Sequence, residues 1–465
     1  MLAQSENFPQ GFFIEEVLFF SPEYNSNSSQ GWIRIRKDNK EFYSNHELRI
    51  TAFDNYGGTT RPVGYVSGNK SMVGCFINAE FCGSELEGPF YIKGVADNNM
   101  EYEPQEAVIQ GNFLRYSRKQ SDIEFPEDVV AFYDGFIIEW FVTQDPNALD
   151  PNLEANVNWE SAGESENQLY VTHRDPIIPE TPFPEHSDPT MVLHTLIHNA
   201  CFWSQTKNSP QNIVDCMYAD FTDRQVFTFD GQGPMTYWGG NNQIGTTEEC
   251  RSVSGLLEFL DAACNEWAEY FDDQIKIQGI ESSILSVVTY DNYILSDSDI
   301  SKYVADGLNI FETQFFDLRL QISPFPNEIT DSRTDFYVKE WNFNTNIPFV
   351  INEYKNAQNN NSIDNLTLIN GNILESASLE GTEGQGNDNP RAEFSDHLIL
   401  KYNNKYFDPS YGSPIALSKN NWENNSLDGF GTIVTFFDTQ SNKEYYINWV
   451  GHLNNTGVLQ CNITP

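Results

Sequence analysis

The sequence predicts an α+β protein in which an all-β region precedes a unit built from helices and sheet. Between residues 12 and 172, apolar and polar residues alternate with a period of two, which is typical of strands. Prolines crowd residues 175–184. Beyond residue 191, apolar residues recur at helical spacing before strand-like stretches return at residue 397. Helices followed by a second set of strands predict an α+β unit after the β region.

The first region is expected to be all-β. Its strands are separated by Asn, Gly, Asp and Ser turns, and they are expected at residues 32–36, 48–53, 91–95 and 136–142. Many short strands with such turns predict one or two immunoglobulin-like β-sandwich modules over residues 1–184. The region ends in residues 175–184, where proline disfavours helix and stiffens the chain, so we place the domain boundary there. Residues 185–465 are then expected to form the α+β unit.

The charge balance limits the classes of partner. The 465 residues include 67 acidic and 26 basic side chains, which gives a formal net charge of −41. Such a field repels phosphate backbones and anionic lipids, so nucleic-acid binding is not expected. No stretch approaches the ~20 apolar residues of a membrane span.

The cysteines bear on the compartment. There are seven of them: Cys75, Cys82, Cys201, Cys216, Cys250, Cys264 and Cys461. An odd number leaves at least one thiol unpaired in an exported protein, and Cys75 with Cys82 is the easiest pair to bridge. The first residues have no charged region followed by an apolar one. We expect an extracellular or periplasmic protein whose signal peptide has been removed, with a cytosolic protein as the alternative.

A candidate nucleophile lies on a predicted helix. Asp261 is a plausible N-cap and Gly279 a plausible C-cap. The helix between them has an apolar stripe formed by Trp267, Ala268, Phe271 and Ile275. Cys264 lies on this stripe, in the first turn, where the positive end of the helix dipole stabilises a thiolate. The alternative is a buried core cysteine on a longer helix that starts at Gly255.

A second candidate group lies in residues 397–410, which read as a β-hairpin with Asn403 and Asn404 as a two-residue turn. Counting outward from the turn places His397 and Asp408 on the same face as diagonal neighbours. The carboxylate can then hold one imidazole nitrogen and leave the other for a nucleophile. We expect Asp408 near the surface, beside a turn. The alternative is a surface histidine next to a turn aspartate.

These residues together resemble the transglutaminase-like superfamily, and more narrowly its bacterial branch of exported cysteine proteins. The likeness covers residues 139–412, and it rests on Asp-Ala-Ala-Cys at 261–264, His397, and Tyr-Phe-Asp-Pro-Ser-Tyr-Gly at 406–412. The resemblance implies a papain-like α+β fold in which Cys264 attacks an amide carbonyl, His397 moves the proton and Asp408 orients His397. It implies thiol-dependent acyl transfer or hydrolysis on peptide or glutamine side-chain amides of a protein or peptide substrate. Protease, deamidase and cross-linking enzyme all remain open.

The chain departs from the family just before the nucleophile. Ala262 and Ala263 stand where the family usually has glycines, so we expect a differently shaped loop. The oxyanion donors are expected to be backbone N–H groups at the helix start together with a distant side chain, either Trp238 or Gln385. The alternative for these two is a core aromatic and a loop amide.

Metal and cofactor signals are weak. His194 and His198 have the i, i+4 spacing of a metal-binding helix face, but no third ligand is marked, so we expect a structural pair and no metal site. No cofactor is expected to be required. Calcium at the acidic residues 97–99 or 297–299 has no EF-hand spacing to support it.

Two rival functions remain open. One is a non-catalytic extracellular binding protein with a degenerate transglutaminase-like domain. The other is a calcium-dependent adhesin or carbohydrate binder, which rests only on the acidic, aromatic-rich composition.

Overall fold

The fold was analysed in a computed structural model that describes most of the chain. The described residues are 11–21, 32–38, 49–54, 61–79, 86–177, 191–239, 252–290, 309–314, 328–338, 350–354, 383–388, 390, 393–394, 396–438, 443–453 and 459–460. The chain forms two compact units. The first consists of Met1–Met217 with Asp273–Ile280, and the second of Tyr218–Asp272 with Glu281–Pro465.

The first unit contains twelve described strands, one complete helix and most of a second. The strands are β1 (Phe13–Phe20), β2 (Trp32–Arg36), β3 (Arg49–Asp54), β4 (Val63–Val66), β5 (Met72–Asn78), β6 (Tyr91–Ala96), β7 (Met100–Glu106), β8 (Val108–Gln110), β9 (Phe113–Gln120), β10 (Ala131–Thr143), β11 (Glu160–Thr172) and β12 (Met191–Leu193). The helices are α1 (His194–Ser204) and α2 (Pro210–Thr222), with short 3-10 turns at Asp97–Asn99, Pro146–Leu149 and Glu154–Asn156.

Two sheets enclose the apolar core of this unit. One has the strand order β3–β1–β5–β9–β8 and the other the order β12–β2–β4–β11–β10–β6–β7. Buried side chains from both sheets form one cluster, in which the rings of Tyr116 and Trp140 meet edge to face at 5.7 Å. The four expected strands are confirmed as β2, β3, β6 and part of β10. In β10 the alternation reflects burial, because Phe136, Ile138, Trp140 and Val142 are buried while the residues between them are not.

The helical stretch after residue 191 begins with a strand. Met191–Leu193 pairs in parallel with β2, and only then does α1 start at His194. The side chain of Asp38 caps this start, since its carboxylate accepts the backbone N–H of Thr195 at 3.0 Å.

The second unit contains the remaining elements. They are β13 (Thr236–Tyr237), α3 (Val253–Phe259), β14 (Asp261–Ala262), α4 (Cys264–Ile277), β15 (Ser283–Tyr290), β16 (Asn309–Gln314), β17 (Glu328–Val338), β18 (Val350–Tyr354), β19 (Glu393–Phe394), β20 (Asp396–Tyr402), β21 (Lys405–Phe407), α5 (Lys419–Ser426), β22 (Leu427–Asp438), β23 (Lys443–Leu453) and β24 (Leu459–Gln460). The end of α4 belongs to the first unit.

Three sheets organise this unit. β13 pairs with β14, a second sheet has the order β16–β15–β20–β21, and a third has the order β18–β23–β22–β17–β19 with β24 on β23. The strands expected near residues 431–437 and 445–449 are confirmed within β22 and β23. Because the chain contains both helices and several β-sheets, it is an α+β protein, as the sequence predicts.

Three further expectations concern boundaries and long segments. The proline-rich residues 178–184 lie outside the described residues, so the boundary at residue 184 stays a prediction. Most of the loop expected at residues 356–389 also lies outside them, except residues 383–388. Among the described helices, none is both long and apolar enough to cross a membrane.

Candidate active site

Cys264 is the first residue of α4, and the chain reaches it through a sharp break. Helix α3 ends at Leu260, which has the left-handed φ of 55°. The short strand β14 follows, so the longer helix from Gly255 is not formed. Cys264 is partly exposed and carries a free thiol. The first-turn position that the sequence predicts is confirmed.

The cap of α4 differs from the expected one. Ala263, not Asp261, is the residue before the helix, and its N–H donates to the Glu266 carboxylate at 3.1 Å. Glu266 is thus the half of a capping box that reaches back to the N-cap N–H. The side chain of Asp261 instead accepts the N–H of Gly239 at 2.8 Å. The sequence did not reveal Glu266, because Ser or Thr is missing at the position before the helix.

The two alanines before the nucleophile need no glycine-like backbone. Neither Ala262 nor Ala263 is among the described residues with positive φ. Ala262 lies in a strand, paired with Tyr237 of β13. The departure from the family pattern therefore carries no backbone strain at these two positions.

The rest of α4 holds its start in place. The stripe residues Trp267, Ala268, Phe271 and Ile275 are all fully buried, as predicted. Gly279 has a φ of 70°, its N–H donates to Lys276, and the next N–H donates to Ile275. This pattern is a Schellman motif and confirms the predicted C-cap.

His397 lies in β20, and the predicted hairpin is confirmed. Lys401 pairs with Tyr406 and Tyr402 with Lys405, as counting outward from the turn predicts. Asn403 and Asn404 have positive φ values of 46° and 61°, which fit a type I′ turn.

His397 and Asp408 meet as predicted. The Nε2 atom of His397 lies 2.9 Å from Oδ2 of Asp408, and each residue is only 1% exposed. Both are deeply buried, so the expectation that Asp408 lies near the surface was wrong.

The charge state of His397 is set by competing effects. Burial lowers its pKa, but the Asp408 carboxylate and hydrogen bonds with Asp408 and with Cys264 outweigh burial and raise the pKa to about 10. Because Asp408 occupies Nε2, Nδ1 is the nitrogen left for Cys264. The three predicted catalytic residues are thus brought together.

The hydroxyl of Tyr218 and the N–H of Gly412 fix the backbone around Asp408. The hydroxyl of Tyr218 accepts the N–H of Asp408 at 3.0 Å and donates to the carbonyl of Ser413 at 2.6 Å. Burial, and then the charge of Asp408, raise the pKa of Tyr218 well above its ordinary value, so this hydroxyl keeps its proton. The N–H of Gly412 donates to the Asp408 carbonyl at 2.9 Å. No sequence motif pointed to Tyr218.

Aromatic rings enclose the imidazole. The ring centroid of Tyr411 lies 5.7 Å from that of His397. The ring of Trp422 stacks on the imidazole with a centroid distance of 6.5 Å. Tyr237 packs edge to face on Tyr411 at 5.0 Å. Burial raises the pKa of Tyr237 well above its ordinary value, and the neighbouring Tyr411 and Cys264 add to this rise. The imidazole of His397 is therefore shielded from solvent.

The two expected oxyanion side chains differ in outcome. Both amide hydrogens of Gln385 are used, because Nε2 donates to the carbonyls of Phe221 at 2.7 Å and Pro409 at 2.8 Å. In this arrangement Gln385 has no hydrogen for an oxyanion, and it serves as a structural amide. Trp238 follows β13 with a φ of 51°, and its backbone N–H donates to the carbonyl of Ala262 at 3.1 Å. An oxyanion role for its indole stays a prediction.

The histidine pair on α1 is bridged by a tyrosine. The hydroxyl of Tyr170 lies 3.0 Å from Nε2 of His194 and 3.0 Å from Nδ1 of His198. Burial lowers the pKa of both histidines, that of His194 to about 3. These contacts are those of a structural pair.

The sequence offers two acidic segments for calcium, residues 97–99 and 297–299. In the first, a carboxylate oxygen of Asp97 accepts the N–H of Ile137 at 3.0 Å. Residues 297–299 lie outside the described part of the chain. Within that part, no cluster of three or more His, Cys, Asp or Glu is placed to hold a metal ion.

The described cysteines carry free thiols. They are Cys75, Cys201, Cys216 and Cys264. Cys75 therefore does not form the disulfide that was expected with Cys82. Cys82, Cys250 and Cys461 lie outside the described residues. Burial raises the pKa of Cys75 well above its ordinary value and that of Cys201 to about 12.

In comparisons with protein-family models, with curated proteins and with solved structures, nothing matches this chain.

Proposed function

We propose that the chain is a thiol-dependent acyltransferase or hydrolase that acts on peptide or glutamine side-chain amides. The observation that carries this proposal is the buried His397, held at 2.9 Å by Asp408 and near enough to Cys264 for that side chain to raise its pKa. A nucleophile, a base and a residue that orients the base are the parts that covalent catalysis by a thiol needs.

The first half of the reaction transfers the acyl group to sulfur. The Cys264 thiolate attacks the amide carbonyl carbon and forms a C–S bond, while the carbonyl oxygen takes the negative charge. When the intermediate collapses, the C–N bond breaks and the imidazolium of His397 gives its proton to the leaving amine. The products are a thioester on Cys264, a free amine and a neutral imidazole, which Asp408 keeps in one orientation.

The second half depends on the acceptor. Neutral His397 takes a proton from water or from a primary amine, which attacks the thioester carbonyl. The C–S bond breaks, and the thiolate and the imidazolium are restored. Water gives a protease or deamidase, and an amine gives a cross-linking enzyme, so exclusion of water from the thioester decides the outcome.

The start of α4 supplies support for the oxyanion. The first N–H groups of a helix have no carbonyl within the helix to accept them, and Cys264 is the first helical residue of α4. We assign its N–H as one donor to the oxyanion and the indole of Trp238 as a second.

The finer fold and the location form part of the same proposal. The second unit is proposed to be of the papain-like, transglutaminase type, and the two sheets of the first unit an immunoglobulin-like sandwich. The resemblance to exported proteins of this superfamily supports a place outside the cytoplasm. No cofactor enters the reaction as written.

The test uses p-nitrophenyl acetate as an activated acyl donor. We expect the full chain to gain one acetyl group on Cys264, seen by peptide mass mapping, and hydroxylamine at neutral pH to remove it. Cys264→Ala should lose this adduct. Cys216→Ser, which removes another partly exposed free thiol, is the matched control and should keep it.

Two results would count against the proposal. One is acetylation of Cys216 and Cys264 at equal rates, and the other is an adduct that forms as well in His397→Ala as in the wild type. Either would favour the non-catalytic binding protein. Adding methylamine to the acetylated enzyme then separates transfer from hydrolysis.

A further inference from the structure

Residues 384–387 form a short segment, here called the bridging segment, that contacts two parts of the second unit. Its sequence is Gly-Gln-Gly-Asn, and it closes on itself because the N–H of Gly384 donates to the Asn387 carbonyl at 2.9 Å. Gln385 has no exposed surface. Nothing in the reaction as written uses this segment.

On one side the segment binds the loop that follows Asp408. The N–H of Gln385 donates to the carbonyl of Ser410 at 3.0 Å, and its side-chain amide donates to the carbonyl of Pro409 at 2.8 Å. The same amide nitrogen donates to Phe221 near the end of α2 at 2.7 Å. The bonds to Ser410 and Pro409 fix the two residues directly after the aspartate that holds His397, and the bond to Phe221 ties them to the end of α2.

On the other side the segment binds β13. The N–H of Tyr237 donates to the Gln385 carbonyl at 2.7 Å. The side-chain amide of Asn387 donates to the carbonyls of Tyr237 at 2.9 Å and Trp238 at 2.8 Å. β13 in turn pairs with β14, which ends two residues before Cys264.

The glycines of the segment are required by this close packing. Gly386 has a φ of 57°, and a Cβ atom there would lie 2.5 Å from the carbonyl oxygen of Met235. A Cβ atom on Gly384 would lie 2.9 Å from the ring of Tyr237. Only glycine lets the backbone approach its neighbours this closely.

We propose that the bridging segment is a positioning element that sets the placement of Cys264 relative to the His397–Asp408 pair. The hydrogen bonds of Gln385 and Asn387 join the loop after the aspartate to β13, which pairs with β14, the strand before the nucleophile. This inference rests on the proposed function, and it assigns Gln385 and Asn387 a role in the thiolate–imidazolium pairing, without contact with the substrate.

The test is the pH dependence of alkylation by iodoacetamide at Cys264 in the full chain. The rate is followed by mass spectrometry of the peptide that contains Cys264. Gln385→Met removes the side-chain hydrogen bonds to the carbonyls of Pro409 and Phe221. Asn387→Ala removes those to the carbonyls of Tyr237 and Trp238. Each should raise the midpoint of the profile by about one pH unit, so that alkylation below the midpoint slows about tenfold.

The matched control is Asn167→Leu in the first unit. Asn167 is also fully buried, and its amide donates to the carbonyls of Phe136 at 2.9 Å and Ser165 at 3.1 Å. Asn167→Leu and Gln385→Met should both lower the unfolding temperature, but Asn167→Leu should leave the alkylation midpoint at the wild-type value. This separates positioning from a general loss of stability.

His397→Ala distinguishes the inference from the proposed function. If its profile overlays that of the wild type, the thiol and imidazole are not coupled and the proposed function fails. If His397→Ala shifts the midpoint while Gln385→Met and Asn387→Ala do not, the segment is merely structural and the inference is overturned. A shift in Asn167→Leu of the same size also overturns it. Should Gln385→Met not fold, Asn387→Ala decides alone.

Discussion

The charge on His397 gives the sharpest prediction about this site. Asp408→Asn keeps the shape of the side chain but removes the carboxylate that holds the imidazolium. Burial is then opposed by Cys264 alone, so the pKa of His397 should fall from about 10 toward the ordinary value of ~6.5 or lower. At neutral pH the imidazole of the variant is neutral.

The stability that this pairing contributes follows from the shift. Because the pKa of His397 is higher in the folded protein, its contribution is full below about pH 6.5 and is lost as pH rises toward about 10. For one buried histidine this amounts to about 4 kcal/mol at pH 7 and about 1 kcal/mol at pH 9. The free energy of unfolding of the wild type should thus fall by about 2–3 kcal/mol over this interval relative to Asp408→Asn.

Two measurements test this. The first is an NMR titration of the chain with ¹⁵N-labelled histidines, of which there are seven, with His397→Gln to assign the signal. The second is urea unfolding of both proteins between pH 6 and 9, where groups common to the two cancel in the difference. A His397 signal that titrates near pH 6.5 in the wild type, or a constant difference in stability across the range, would refute the reasoning.

Three further predictions concern the same unit and the free thiols. Glu266→Ala should lower the free energy of unfolding by about 1–3 kcal/mol, because the N–H of Ala263 and the amide of Asn265 lose their carboxylate acceptor. Glu266→Gln keeps an acceptor and should lose less. Urea unfolding measures both variants, and equal losses would contradict the cap. Gly412→Ala should cost several kcal/mol or abolish folding, because a Cβ atom would lie 2.3 Å from the carbonyl oxygen of Phe221 at a φ of 58°. Cys75 and Cys201 should resist alkylation of the folded protein at pH 7.5, because burial raises the pKa of each thiol, whereas the partly exposed Cys264 should react. Mass mapping with and without urea measures this. Early labelling of Cys201 would be inconsistent with the prediction.

The hairpin of the site could be predicted from the sequence because local rules determine it. A two-residue Asn-Asn turn fixes the register, and the two-residue period then fixes which residues share a face. His397 and Asp408 follow from that count alone. Their burial did not follow, because it depends on Tyr411 and Trp422, which the local pattern does not place beside the hairpin.

The approach to Cys264 was predicted less well. Apolar residues continue at helical spacing through residues 254–280, and nothing local indicates that Leu260 takes a left-handed φ. The break is imposed by pairing of β14 with β13, a contact between residues more than twenty positions apart. The sequence left both an oxyanion donor and a loop amide open for Gln385 for the same reason, since its partners Phe221 and Pro409 are distant in sequence. Long-range contacts of this kind override local preference.

The order in which the chain supplies the site has a consequence for synthesis. Cys264 precedes His397 and Asp408 by more than a hundred residues. At ribosomal rates this separates their appearance by on the order of ten seconds. During that interval the nascent chain holds the thiol without its imidazole partner and without the carboxylate that keeps the imidazole charged. Under the proposed function, Cys264 therefore gains its catalytic partners only after the hairpin has been made, and a chain that terminates early is inactive.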